Sequence, residues 1–595
     1  MCGRFARLAC ATLLFACTHA PAPEQKPRAA TSGIAAAASV ASVSTASAGP
    51  SASPSAAHEI PKPPPPVPFT GGVHAVRGDN GLVVAVEAQA ARVGAEVLSA
   101  GGNAVDAAVA TVFALCVTHQ SAASLGGGGF ALVRPRESAT LAFDFREAAP
   151  SGLERKAFEQ MLAQGARGKD AVGVPGVVAG LAALTTRLGT RPLSALIAPA
   201  LELARSGFLP GKWEAELFRM SQATLSRDPS AGAAFFKGGK PPPAGKRLLQ
   251  PQLARSLEAL SKAGPDAFYK GAIAERLARA LAPHGPSRED LAQYRCIERE
   301  PLSIEYHAYT VQTMPPPSAG GVALIGTLLA LADAHAPAPA GSLEATHYLL
   351  EAQRRAQAER RLGVVDPDGL SAEARQKQLE RWQDARFWLT PPIGPRATPS
   401  GELRAAPTEP EREAEHTTHV SVVDRNGMAV SLTTTLSASF GAKLMAPDTG
   451  FVLNNAVASF SLSGDNQPRP RARTTSSMAP TLLIAEGHFA VLGTPGGDTI
   501  PSTLSQIVTH LVDEHMSLED AIEAPRWHQS FLPDEARYEP ALKSTPWLAE
   551  LAKLGHRPRA LARRFGDANC IIVTSLIAGY ADSREPGVSI AAAGR

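Results

Sequence analysis

The chain has 595 residues, 44% of them hydrophobic and 19% charged, an ordinary balance for a soluble globular protein but too long for one small core. A formal net charge of +3 gives no basis for a nucleic-acid partner or an anionic membrane surface. Of six cysteines, Cys2, Cys10 and Cys17 crowd the N-terminus; Cys116, Cys296 and Cys570 remain, which excludes a disulfide-built scaffold and offers no metal-ligand spacing.

In chain order, Arg4 and Arg7 precede an apolar run from Leu8 to Ala16, too short to span a membrane. Residues 1–17 read as a signal peptide for export to a bacterial periplasm or cell envelope. Leu14-Phe15-Ala16-Cys17 resembles a bacterial lipobox and predicts lipidation at Cys17, with plain secretion as the alternative. Residues 18–68 are dominated by Ala, Ser and Pro, a composition that builds no core and predicts a disordered spacer. Globular sequence begins near Phe69.

Val86 to His119 predicts two helices joined by a tight turn at Gly101-Gly102-Asn103. Gly126–Gly129 reads as a close-packed backbone bend, since no Gly-Lys-Ser/Thr follows to make it a phosphate loop. Strands are expected around it and at Thr140–Arg146. Amphipathic segments follow at 192–206, 251–263 and 272–283, then a strand at Tyr306–Thr313 and a rigid loop, Met314–Gly321, feeding a helix. Residues 364–414, rich in Pro and charge, predict a flexible segment ahead of a cleavage site. Arg469–Arg473 reads as a solvated loop. After Thr417 the texture turns to β-type runs at Val420–Asp424, Ala429–Thr435, Pro480–Ala485 and Phe489–Leu492, with helices near 501–514 and 517–523.

Thr417 carries the chemistry. A Thr hydroxyl is a weak nucleophile unless a base takes its proton, and an N-terminal Thr has that base in its own α-amine. The amine titrates at roughly 7.7–8.0 in peptides, so much of it is ready near neutral pH. A mid-chain Thr gains such an amine only by cleavage, here between His416 and Thr417, giving a large subunit (69–416) and a small one (417–595). No G-x-S-x-G, H-E-x-x-H, C-x-x-C or Walker-type glycine loop occurs, and no metal or organic cofactor is implied.

From about residue 72 onward the chain resembles the γ-glutamyltransferases (γ-glutamyltranspeptidases), which are N-terminal-nucleophile hydrolases. The likeness rests on Gly101–Ala108, Gly126–Phe130, Asp144–Pro150, Val174-Pro175-Gly176 and Met314–Gly321. It continues through Thr417–Asp424, Ser476–Pro480, Gly493–Gly497 and Ala524-Pro525-Arg526. The resemblance implies a mixed α/β fold, a four-layer αββα sandwich built from both subunits of one self-cleaved precursor. It implies Thr417 as nucleophile, Thr435 supporting it, and the backbone N–H groups of Gly496 and Gly497 as the oxyanion hole. Arg146 would clamp a substrate α-carboxylate, with Ser476 and Ser477 as added donors. The implied activity is cleavage of γ-glutamyl amides such as glutathione, with water or an amine as acceptor.

The match breaks where the family reads the substrate amine. Ala456 follows Asn454-Asn455 in place of an acidic or amide residue, Ser459 stands for an expected Asp, and Ser437 stands where many members carry Asn. The segment from Ser461 to Thr475 is also shorter than in members with a lid loop. Two alternatives follow: an acylase of the same fold preferring glutaryl-type groups, as in cephalosporin acylases, or a non-catalytic exported binding lipoprotein.

Overall fold

The computed structural model describes residues 65–333, 338–403 and 416–592. The expectations for the signal peptide, for lipidation at Cys17 and for nearly all of the spacer fall outside the described residues.

Two seven-stranded sheets form the body. One runs, edge to edge, through Val588–Ala591, Gly81–Ala85, Thr417–Asp424, Ala429–Thr435, Gly128–Arg134, Leu141–Phe145 and Ile297–Arg299. The other runs through Val76–Arg77, Ile577–Ala581, Asn569–Val573, His488–Leu492, Thr481–Ala485, Tyr309–Thr313 and Leu302–Tyr306. All neighbours within both sheets are antiparallel.

Strand alternation sorts the side chains of the first sheet into two cores. Val83, Ala85, Ala131, Val133, Val420 and Val422 pack with helices Ala88–Ser99, Ala104–Thr118 and Val177–Leu188. Leu82, Val84, Phe130, Leu132 and Val423 point the other way. They meet Leu482, Val491 and Ile571 of the second sheet and share a core with helices Ala319–Ala332 and Ile500–Val512. The result is the expected helix–sheet–sheet–helix sandwich. Truncating a fully buried Leu in either core to Ala would cost about 2–5 kcal/mol.

The central hairpin positions the site. Thr417–Asp424 pairs with Ala429–Thr435 from Thr417 opposite Thr435 to Val423 opposite Ala429. Its turn is fixed by Asp424, whose Oδ1 accepts the N–H groups of Asn426 (2.8 Å) and Met428 (3.1 Å). The other oxygen of Asp424 accepts the Ala104 N–H at 3.0 Å, at the start of the buried helix Ala104–Thr118.

Three expectations are corrected. Tyr306–Thr313 is not one strand: His307, at φ 54°, turns the chain and makes a hairpin of Leu302–Tyr306 and Tyr309–Thr313. The part of 364–414 up to Leu403 is folded. Trp382 and Trp388 are buried beside helices Ala319–Ala332 and Leu343–Leu362, and Trp382 donates to Glu359 at 2.7 Å. Thr398 gives its N–H (3.1 Å) and hydroxyl (2.7 Å) to the buried Glu351. Part of this order is local, since Ser371 caps helix Ala372–Gln383, and the rest comes from tertiary anchors that composition does not reveal. Arg473, expected in a solvated loop, is buried and ion-paired to Asp144 at 2.9 Å.

Candidate active site

Because Thr417 and Thr435 are directly opposed on antiparallel strands, their side chains share one face. Thr417 Oγ1 donates to Thr435 Oγ1 at 3.2 Å. Thr435 Oγ1 in turn donates to the His416 carbonyl oxygen at 2.9 Å and accepts the Ser437 N–H at 2.9 Å. A continuous chain therefore runs from the hydroxyl of Thr417, through Thr435, to the carbonyl just before Thr417.

Among the described residues no histidine is hydrogen-bonded to the Thr417 hydroxyl, whose partner is Thr435. His419 lies on the same strand face, but its ring nitrogens sit 2.8 Å from Thr433 Oγ1 and 3.0 Å from Ser421 Oγ. Burial pushes its pKa down to about 3. His416 is also held neutral, at about 4, by burial and by the nearby Lys443, His119 and Arg563.

Thr417 and Thr435 open onto a cavity whose wall also carries Arg146, Ser437, Ser459 and Ser476. Asn455, Ala458, Met478 and Ile500 complete it. Arg146 enters from the end of Leu141–Phe145 and is buried. Its Nη1 pairs with Glu147 at 2.5 Å. Burial raises the Glu147 pKa, and the adjacent Arg146 charge opposes that rise. Nη2 meets only distant acceptors: Thr475 O at 3.3 Å, Ser437 Oγ at 3.4 Å and Ser459 Oγ at 3.5 Å. Contacts this long leave one edge of the guanidinium open to a stronger acceptor such as a carboxylate. Arg473 supports it from behind, donating to Asp144 Oδ1 (2.9 Å) and to the Arg146 carbonyl (3.1 Å). Tyr294 donates a second bond to that carbonyl at 2.7 Å.

Ser476 is set by the loop before helix Ala319–Ala332. Its carbonyl accepts Ala319 N–H (2.7 Å) and Gly320 N–H (3.1 Å). A Cβ at position 320 would lie 1.8 Å from the Ser477 carbonyl, so only glycine permits this approach. Ser477 is not in the cavity wall; it is fully buried, and its hydroxyl accepts Arg360 Nη1 at 2.8 Å. Gly496 and Gly497 also lie outside the wall, just before Ile500, which is in it. Gly496 has φ 133°, a backbone that other residues rarely adopt. Among the described residues neither amide donates a hydrogen bond within the protein, so both N–H groups are unengaged.

The amine-reading side is as bare as the sequence implies. Ala456 is fully buried, its N–H bound to Asn454 Oδ1 at 3.0 Å, and it does not reach the cavity. Asn455 reaches it, but its side chain serves Ala438 N–H (2.8 Å) and the Ala166 carbonyl (3.1 Å). No carboxylate is among the wall residues. The short segment after Ser461 closes on itself through Ser461 N–H to Asn466 O (2.8 Å), with Asn466 reaching Ser459 O at 3.0 Å. Sequence reading missed Met478, Ile500, Arg473 and Tyr294; apolar wall positions and buried supports carry no motif of their own.

Two antiparallel sheets between helical layers, with a Thr opening a central strand beside a cavity, define an N-terminal-nucleophile hydrolase. The chain belongs to the γ-glutamyltranspeptidase family, whose model matches residues 90–592. It is 37% identical over 544 residues to the glutathione hydrolase proenzyme of Escherichia coli (strain K12), covering 86% of this chain and 92% of that one. It is 32% identical over 570 residues to the acylase ACY 1 proenzyme of Pseudomonas sp. (strain SE83), covering 89% and 98%. Among solved structures, a cephalosporin acylase from Bacillus halodurans superposes with a TM-score of 0.77 at 25% identity, covering 89% of this chain and 99% of that chain.

Proposed function

We propose that this protein is a self-cleaving γ-glutamyl transferase and hydrolase that opens the γ-glutamyl amide of glutathione and related compounds. The observation that carries the reading is the chain from Thr417 Oγ1 through Thr435 Oγ1 to the His416 carbonyl oxygen, at 3.2 Å and 2.9 Å. In the precursor, Thr417 Oγ1 attacks the His416 carbonyl carbon. The Thr417 proton passes to Thr435, and the Thr435 proton passes to the carbonyl oxygen. On collapse the proton on that oxygen passes to the Thr417 nitrogen as the C–N bond of the His416–Thr417 amide breaks, which leaves His416 as an ester on Oγ1 and frees the Thr417 amine. Water hydrolyses that ester, yielding the two subunits.

In the processed enzyme the free amine takes the Thr417 hydroxyl proton as Oγ1 attacks the substrate's side-chain amide carbon. His419 supports this assignment, because its ring nitrogens are engaged by Thr433 Oγ1 and Ser421 Oγ and burial makes it a weak base. The Gly496 and Gly497 N–H groups receive the oxyanion, a role in which one donor typically contributes roughly 2.7–4 kcal/mol. The protonated amine then gives its proton to the leaving amine, and water or an acceptor amine releases the glutamyl group. Arg146 holds the α-carboxylate.

A second reading is favoured by one observation, the lack of a carboxylate in the wall. It is an acylase that takes glutaryl-type groups lacking the amine, and relatives named as acylases are in keeping with it. The two are separated by comparing amine release from γ-glutamyl and glutaryl anilides by the processed protein. γ-Glutamyl preference supports the first reading, equal or faster glutaryl release replaces it with the second, and cleavage of neither removes both. Thr417→Ala should remain one chain on a denaturing gel and be inactive. We also propose export with a lipid tether at Cys17, supported by the run Leu8–Ala16 and by Leu14–Cys17. Absence of lipid label from the intact protein, or label that persists in Cys17→Ala, would dismiss the tether.

A further inference from the structure

The turn that carries the two unengaged amides has its carbonyls tied. Gly496 O accepts the Thr499 hydroxyl (2.8 Å) and the Thr499 N–H (3.2 Å), and Gly497 O accepts the Ile500 N–H. Those bonds stay within the turn and the start of the helix it feeds. Asp498 O reaches further, accepting Gln357 Nε2 at 2.9 Å. Gly496 and Gly497, at φ 133° and 59°, give the backbone little stiffness of their own, so an outside anchor matters here.

Gln357 lies on helix Leu343–Leu362, in the part of the chain that cleavage would assign to the large subunit. Gln353, Gln357 and Arg360 follow there at i, i+4 and i+7, which puts them on one face, and all three are buried. Arg360 Nε donates to Gln357 Oε1 at 2.5 Å, which fixes the Gln357 amide with its nitrogen toward Asp498. Arg360 Nη1 donates to Ser477 Oγ at 2.8 Å, next to Ser476 of the cavity wall. Gln353 Oε1 accepts the Gln529 N–H at 2.8 Å. The Asp498 side chain meets other elements: its Oδ2 stands 3.4 Å from Nε2 of the fully buried His528 and 3.6 Å from Arg537 Nη1, and His528 Nδ1 lies 2.9 Å from Ser502 Oγ.

We propose that Gln357 and Asp498 are positioning residues for acyl transfer, which together hold the Gly496–Thr499 turn so that both amides face the developing oxyanion. Gln357 fixes the backbone of the turn, and Asp498 anchors it through its side chain against His528 and Arg537. Through Arg360 the same helix braces Ser477, so one element spaces the oxyanion turn against the carboxylate side of the site. The proposal rests on the acyl-transfer reading above and holds for either acyl preference.

The test measures kcat and KM of the processed protein for γ-glutamyl-4-nitroanilide and glutaryl-4-nitroanilide, well below the melting temperature of every variant. Gln357→Met keeps the length of the side chain and removes its amide. Acylation and hydrolysis of the acyl-enzyme both pass through an oxyanion, so kcat should fall about tenfold, part of the roughly 10²–10³ lost when a donor is removed outright, while KM stays within about twofold. Asp498→Ala should behave alike, and Asp498→Asn, which keeps an oxygen toward His528 and Arg537, should retain most of kcat. Gln353→Met removes an equally buried amide from the same helix face, but one bonded to Gln529 rather than to the turn; it should lower the melting temperature comparably and leave kcat unchanged. An equal loss of kcat in Gln353→Met would mean general loosening and overturns the proposal. So does a wild-type kcat in Gln357→Met, or a loss confined to KM. If Gln357→Met does not fold, Asp498→Ala decides, and a wild-type kcat there overturns the proposal while the activity stands. If processed wild-type protein turns over neither donor, the activity reading fails and the proposal with it.

Discussion

Thr435→Val isolates the proton path at the scissile bond. Valine keeps the β-branched shape on the strand and removes only the hydroxyl. That hydroxyl is 3.2 Å from Thr417 Oγ1, 2.9 Å from the His416 carbonyl oxygen and 2.9 Å from the Ser437 nitrogen. Removing one preorganised donor to a developing oxyanion costs about 2.7–4 kcal/mol, or roughly 10²–10³ in rate. Leaving the Ser437 N–H without its acceptor costs about 1–3 kcal/mol of stability, too little to unfold a domain with two full cores. Freshly purified precursor, sampled over time on a denaturing gel, should therefore convert some hundredfold more slowly, while its melting temperature falls by only a few degrees. Thr435→Ser, which restores the hydroxyl, should recover processing to within about tenfold of wild type. If Thr435→Val matured with the wild-type half-time, the proposed proton path would be wrong.

Three further outcomes follow from the same geometry. Arg146→Lys replaces the fork with a point charge and should lower kcat/KM for γ-glutamyl anilide by about ten- to a hundredfold, read as a rise in KM. Gly320→Ala puts a methyl 1.8 Å from the Ser477 carbonyl; it should destabilise the fold by about 1–3 kcal/mol in denaturant melts and cut activity by displacing Ser476. His419, pushed down to about 3 by burial, binds its proton more readily unfolded than folded, so its contribution is full above pH 6.5 and is lost as pH falls from there toward about 3. Comparing wild type with His419→Gln by denaturant melts at pH 7 and pH 4 should show that the wild type loses more stability, by an amount on the order of a few kcal/mol. Equal losses would contradict a buried neutral imidazole.

The parts legible in the sequence are those that local rules govern. The hairpin around Asn426-Gly427 and the helices flanking Gly101–Asn103 follow from turn chemistry and periodicity, and both form where expected. The close approach of Thr417 to Thr435 was legible only as family likeness; the register that opposes them is fixed by the five-residue Asp424–Met428 turn, seven pairs away. Arg473 was misread because an Arg-rich, Pro-containing stretch looks solvated until a partner such as Asp144, some 330 positions earlier, is known. Residues 385–403 look loose by composition, yet Trp388 fills the space left by Gly326 and Glu351 holds Thr398. Long-range partners of this kind leave no periodic trace.

The position of Thr417 suits the cleavage proposed above. Thr417–Asp424 is an interior strand, bonded along one side to Ala429–Thr435 from its first residue and along the other to Gly81–Ala85 from Val420 onward. Under the proposed cleavage, a cut before Thr417 would break no strand of either sheet, so the new amine would lie on a backbone already paired with its neighbours. The upstream segment is tethered independently. Glu351 binds Thr398 and pairs with Arg354 (3.0 Å) and Arg355 (2.6 Å); Arg354 also pairs with Asp534; and Ala397 N–H donates to Leu554 O at 2.8 Å. Residues 397 and 398 thus belong to the large subunit but are bonded into a network that includes the small one. A buried network of this kind is costly to break singly.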